Sequence, residues 1–329
     1  MTDKDTKSNA IKLPPIGMGG RFKLEKFKGT TLPNGEVIEL AGSRKTVAEF
    51  DNIITNQGLN ELGTRTIKGT SSVTYYCHVG SGNTAAAATD TGLQTFVAST
   101  NTYQSESTTA QVSASPYYIS YAVTHRFGQG AAAGNLQEVG MGWAATGTVL
   151  FSRALILDGV GAPTSITVLS DEYLDVTYEF RIYPPMGDAT GTATIGGVSY
   201  DYIARACIVN NITNTGWYVN RTGTGLSTTS TVYDGNIGTV LQDPSGSTSI
   251  SNSGSSPSYS NNSLQGSSIS TFGLNEGNLA GGVRSLKQFI GFGVWQIQFN
   301  ATVGGATIPK DATKTMSFTI THSWARKTL

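Results

Sequence analysis

Long stretches of the chain alternate apolar and polar side chains one by one. In residues 116–127, PYYISYAVTHRF, one register holds Tyr117, Ile119, Tyr121, Val123, His125 and Phe127, and the other holds Tyr118, Ser120, Ala122, Thr124 and Arg126. Residues 173–184, YLDVTYEFRIYP, separate Leu174, Val176, Tyr178, Phe180 and Ile182 from Asp175, Thr177, Glu179 and Arg181. Nearer the end, Trp295, Ile297, Phe299, Ala301 and Val303 alternate with Gln296, Gln298 and Asn300, and Met316, Phe318, Ile320, His322 and Trp324 alternate with Ser and Thr. Successive side chains of a strand point to opposite faces, so a period of two predicts antiparallel strands with one face in a core and one in water. The apolar runs VLFSRALIL at 149–157 and YIARACIV at 202–209 predict more central strands. Together these segments predict an all-β, predominantly antiparallel fold, built as a β-sandwich or barrel.

Breaks in the pattern predict turns, one or two short helices and the domain organisation. Asn34-Gly35 between two strand-like stretches predicts a β-hairpin, because both residues tolerate positive φ. In residues 51–63, DNIITNQGLNELG, Thr55 or Asn56 is placed to cap a helix, Leu59 and Leu62 share a face, and Gly63 sits where a C-terminus takes left-handed φ. A second helix is predicted around TDTGLQTFV, with Asp90 as cap and Leu93 and Val97 on one face. Residues 1–20 read as an extended N-terminal arm, residues 21–184 as a β domain, and residues 185–329 as a second β unit or elaborated half, with the seam at Pro184-Pro185. Residues 244–263 carry no charge and almost no apolar side chain, so burial does not offset the entropy of ordering them. They are expected to be a flexible loop, or to be ordered by neighbouring subunits.

Composition narrows the function. Single cores stop growing at roughly 250–300 residues, so 329 residues predict one large β domain or two smaller ones. Lys+Arg and Asp+Glu number 22 each, the net charge is zero, and 13% of residues are charged, against roughly 25% in ordinary soluble domains. No cationic excess is present to neutralise phosphates or an anionic membrane, so neither nucleic acid nor membrane insertion is expected. Low charge favours association, and a surface of Ser, Thr, Asn and Gly suits a chain that meets copies of itself. No apolar run approaches the ~20 residues of a membrane span, and the first residues lack a signal-peptide core. Synthesis in a cytoplasm is expected.

Candidate chemistry is sparse. Cys77 and Cys207 stand far apart, which excludes a paired-Cys metal or redox motif and leaves two buried thiols or one disulfide. His125 and His322 fall in apolar registers, where a hydrogen-bonded core or interface histidine is expected, and His78 points away from its neighbour Cys77. The run Gly80-Ser81-Gly82-Asn83-Thr84 lacks the Lys-Ser/Thr pair of a phosphate loop and reads as a surface turn. Asp171, Glu172, Asp175 and Glu179 form the densest acidic cluster. Its only same-face pair, Asp175 and Glu179, is separated by roughly 13 Å at ~3.3 Å per residue, beyond the ~5–9 Å of a glycosidase pair. Ion pairing with Arg181 and Arg153 is expected instead. No catalytic residue, cofactor or metal ligand is assigned, and the chain is read as non-enzymatic.

The wording of several segments adds a resemblance. FDNIITNQGLNELG, HVGSGNTAAAATDTGLQTFVAST, GNLQEVGMGW and LFSRALILDGVGAPTSITVLSDEYLDVTYEFRIYPP, spread over about residues 20–210, resemble a group of tailed-bacteriophage virion proteins described as tail, tail-fibre or structural proteins. The closing SFTITHSWAR is similar in style to the ends of such proteins, whereas residues 211–290 match no part of the pattern. These stretches are turn and strand grammar, so no functional residue is carried over. The resemblance implies a structural virion component, made in the host cytoplasm and associated with the tail as an adaptor or base for fibres. Expected partners are copies of itself, other virion proteins and, through the assembly, a host surface receptor. A capsid decoration or head protein and a receptor-binding or glycan-cleaving tail protein are the competing classes. Sheet edges poor in charge require partner subunits, and Tyr173 and Tyr183, on the outer face of their strand, are the candidate interface residues.

Overall fold

The computed structural model describes residues 10–213, 216–224, 230–250, 253–254, 258–300 and 305–327. Among the described residues the protein is nearly all β, with one short helix and several antiparallel sheets, as the period of two predicts. The chain divides into two compact units. One comprises Met18–Thr109, Ile119–Ile182 and residues 326–327, and the other residues 10–17, Ala110–Tyr118 and Tyr183–Ala325.

In the 18–182 unit, the strands Lys45–Asp51, Ile16–Thr31, Glu172–Tyr183, Tyr118–Phe127 and Tyr103–Gln111 lie side by side in that order. Val176 pairs with His125 and Phe180 with Tyr121, so the apolar registers of two strands share one face. A second sheet orders Ile53–Ile54, Ser152–Leu155, Glu138–Gly142, Tyr76–Gly80 and Phe96–Thr100. Phe151, entering this sheet, meets Phe180 at 5.8 Å and the edge of Tyr178 at 6.1 Å. Two sheets thus close on a dry aromatic core, each such side chain contributing about 1.5–3 kcal/mol by leaving water.

Local signals explain the connections. The strand Ile16–Thr31 turns back through Gly35, at φ 84°, into Val37–Glu39, with Thr31 opposite Val37. The helix Asn56–Glu61 starts at Thr55, whose hydroxyl accepts the Gly58 amide at 2.8 Å, and Leu59 and Leu62 are buried. It ends without a left-handed Gly63. Leu62 stays right-handed, and the amides of Gly63 and Thr64 reach back to the Asn60 and Glu61 carbonyls. The helix sits so close to its support that a Cβ on Gly58 would lie 2.2 Å from the Phe151 carbonyl oxygen. Gly58→Ala is therefore expected to destabilise the unit by about 1–3 kcal/mol through overpacking. An unchanged thermal midpoint for this variant would refute that contact.

The second predicted helix does not form. Asp90 accepts the Ala87 amide at 2.8 Å within a turn, and Phe96–Thr100 pairs with Tyr76–Gly80 as a strand. Leu93 and Val97 allow either reading in so short a stretch, and the ladder with Tyr76–Gly80 decides between them.

The 183–325 unit repeats the sandwich principle. One sheet orders Ala189–Ile195, Val198–Ala206, Gly293–Phe299, Ser285–Ile290, Ser230–Tyr233 and Thr248–Ile250. In the other, Gln265–Phe272 pairs antiparallel with Met316–Arg326, and Ala10–Lys12 adds to the latter in parallel, Ile11 opposite Ile320. Phe299 stacks on Phe318 at 5.3 Å and Phe292 meets the edge of Trp324 at 5.9 Å, so the sheets face each other across aromatic pairs.

Two expectations need correction. Residues 10–20 do not form an arm: they hold Ala10–Lys12 and the start of Ile16–Thr31, with Ile11, Leu13, Ile16 and Met18 buried. Pro14-Pro15 only separates two strands, and residues 1–9 lie outside the described residues. Within 244–263, Thr248–Ile250 and Ser258–Tyr259 pair with strands of their own chain, and Tyr259 stacks on Trp324 at 5.5 Å. Residues 251–252 and 255–257 of that segment, and Ala301 and Val303, lie outside the described residues.

Candidate functional site

The acidic cluster is a ladder of ion pairs. Asp175 is buried on the face expected to be wet, bonded to Arg126 at 2.7 and 2.8 Å and to Arg44 at 3.0 Å. Both guanidinium groups lie over the Phe27 ring, at 4.7 and 4.3 Å. Glu172 pairs with Lys26 at 3.1 Å, Asp171 with Lys28 at 2.7 Å and Glu179 with Arg181 at 2.6 Å. Each acid has its own cation, which is the arrangement of a structural network.

Arg153 does not join this cluster. It is buried in the other sheet, where it bonds Glu138 at 2.9 and 2.8 Å, Asp90 at 2.7 Å and the Thr84 carbonyl at 2.9 Å. Glu138 is also fully buried, and its carboxylate accepts the amides of Gly82 at 3.0 Å, Gln94 at 3.0 Å and Thr95 at 2.8 Å. The Gly80 to Thr84 turn therefore spends its anion-binding amide on a carboxylate of its own chain. Sequence reasoning missed Glu138. Its signal is a lone acid in NLQEVGMG matched by the lone cation in VLFSRALIL, two apolar runs in which an unpaired charge is untenable.

Tyr173 and Tyr183, expected on the outer face of their strand, are buried within the chain. They are 1% and 6% exposed, because Glu172–Tyr183 is a central strand covered on both faces. Tyr173 stacks on Phe27 at 5.1 Å with its hydroxyl 2.6 Å from that of Thr31, and Tyr183 tilts against Tyr118 at 5.8 Å.

The cysteines and histidines are core groups. Cys77 and Cys207 are free, buried thiols, pushed up in pKa by burial. Burial pushes His78 and His322 down to about 4, with the charge of His125 adding to the effect on His78. His125 is likewise lowered by burial, and its Nε2 donates to the Thr74 carbonyl at 3.0 Å. Among the described residues, no group of three His, Cys, Asp or Glu is placed to hold a metal.

Two features face outward. Tyr103–Gln111 ends its sheet, six of its nine residues are exposed, and Glu106 is its one charged residue. Behind it, Lys68, Tyr75, Asn101, Tyr103, Glu106 and Tyr121 help line a cavity of about 210 Å³, with His125 in its wall. Lys68 Nζ pairs with one oxygen of Glu106, and the Tyr121 hydroxyl donates to the other at 2.9 Å. Partial burial raises the Glu106 pKa, but the Lys68 and Tyr121 bonds outweigh it and hold the carboxyl below its usual range. Tyr121 is pushed up by burial and by Glu106, so it remains a neutral donor. No protein-family model, curated protein or solved structure matches the chain.

Proposed function

We propose that this chain is a non-enzymatic structural subunit of a tailed-phage virion, made in the host cytoplasm and associated with the tail as an adaptor or base for fibres. It works by symmetric self-assembly with copies of itself and other virion proteins. The observation that supports assembly is the edge strand Tyr103–Gln111. Chains that stay monomeric guard such edges with Lys, Pro or bulges, because unpaired amides and carbonyls template the addition of another strand. This edge reads YQSESTTAQ, without Lys or Pro, and its one charge, Glu106, is neutralised by Lys68. A chain of zero net charge adds no long-range repulsion to keep copies apart. Strand addition across this edge, repeated about a rotation axis, gives a closed ring.

The reading predicts that Ser105→Lys combined with Ser107→Lys dissociates the oligomer while leaving the β circular-dichroism spectrum unchanged, since both side chains are exposed. Sedimentation velocity reads the result. A wild-type chain that sediments as a monomer, or a double variant that assembles as wild type does, would defeat the reading.

A further inference from the structure

We propose that the cavity behind Tyr103–Gln111 is a saccharide site that takes one neutral pyranose residue. This goes beyond the assembly reading and does not rest on it, since a monomer with this cavity would bind sugar equally well. A volume of about 210 Å³ lies below the ~300–1,000 Å³ of sites for larger cofactors and drug-sized ligands, which limits the occupant to about one ring. The lining divides in the way a pyranose does. Tyr75, Tyr103, Tyr121 and Val123 offer apolar surface suited to the C–H face of a sugar, and Tyr103 is 53% exposed at the mouth. Glu106, Lys68 and Asn101 supply an ionised acceptor, a cationic donor and an amide suited to its hydroxyl edge.

The same residues argue against other ligand classes. Lys68 is already paired with Glu106, so the site has no uncompensated cation for a phosphate or carboxylate. A purely apolar occupant would desolvate the Lys68–Glu106 pair without replacing its water contacts. A metal would meet one carboxylate and one histidine, fewer than the three protein ligands of a catalytic zinc site. Glu106 is the only carboxylate among the lining residues, whereas glycoside cleavage takes two. The site is built to hold a sugar without cutting it.

Saturation-transfer-difference NMR on the full chain, with the methyl glycosides of glucose, galactose and N-acetylglucosamine as probes, tests the proposal. Transfer to ring protons of at least one probe is expected, with a Kd on the order of 1 mM. Tyr103→Ala and Glu106→Gln should each weaken that binding at least about tenfold. Circular dichroism and an unchanged thermal midpoint would show that both variants fold. Absence of transfer from all three probes would overturn the site, as would wild-type binding in either folded variant. Loss of assembly in the edge-strand lysine variant, with sugar binding retained, would separate the two functions.

Discussion

Glu138→Ala will destabilise the 18–182 unit by about 3–5 kcal/mol, the range expected when one partner of a buried ion pair is removed. The variant leaves the buried Arg153 guanidinium with Asp90 as its remaining carboxylate partner, and it strips the amides of Gly82, Gln94 and Thr95 of their acceptor. Because those amides belong to the segments on either side of the 84–93 turn, the loss loosens that connection as well as the core. Glu138→Gln keeps one acceptor oxygen and should fall between wild type and Ala. Arg153→Met made together with Glu138→Ala should be less harmful than the two single changes added, since neither charge is then stranded. Urea unfolding of the four proteins measures this cycle. A Glu138→Ala protein within about 1 kcal/mol of wild type would contradict a buried, fully used carboxylate.

Acid will weaken both units well before carboxylates protonate. His78 in one unit and His322 in the other titrate near 4 when folded, against 6.5 when free, because burial disfavours the charged ring. Between those values the unfolded chain binds protons that the folded chain refuses. The stabilising contribution is therefore complete above pH 6.5 and is lost as pH falls towards 4, a change of about 3 kcal/mol for each histidine. His125, also lowered, acts in the same direction. Thermal midpoints taken from about pH 7.5 down to about pH 4.5 should fall steadily below pH 6.5, and His322→Gln should flatten part of that slope despite lowering the midpoint at neutral pH. A midpoint constant across the range would mean that the rings are hydrated in the folded state.

The residues that the sequence makes legible are those governed by local periodicity. Leu174 through Ile182, Ile119 through Phe127 and Met316 through Trp324 declare their faces because strand side chains alternate whatever surrounds them. Thr55 declares the helix start for an equally local reason, its hydroxyl capping the Gly58 amide. Alternation says which residues share a face but not whether the other face is covered. Alternation alone puts Tyr173 and Tyr183 on an outer face, and their central strand buries them. Residues 10–20 carried a readable apolar spacing in Ile11, Leu13, Ile16 and Met18, hidden by the proline pair between two strands. The tyrosine-lined cavity arises from segments far apart in the chain, at 68–75, 101–106 and 121–125, and Arg153 meets Glu138 only through the pairing of Ser152–Leu155 with Glu138–Gly142. Such juxtapositions are products of sheet order, which no local pattern encodes.

Where the copies sit and what covers Tyr103–Gln111 decide the proposed function most directly. Under the proposed function, a cryo-electron reconstruction of a tailed-phage particle that contains this chain would measure both. The proposed function predicts copies arranged in a closed ring about the tail axis, with a strand of a neighbouring subunit paired along the outer side of Tyr103–Gln111. Copies spread over the capsid lattice, or a subunit whose Tyr103–Gln111 edge faces solvent without a lateral contact, would contradict it.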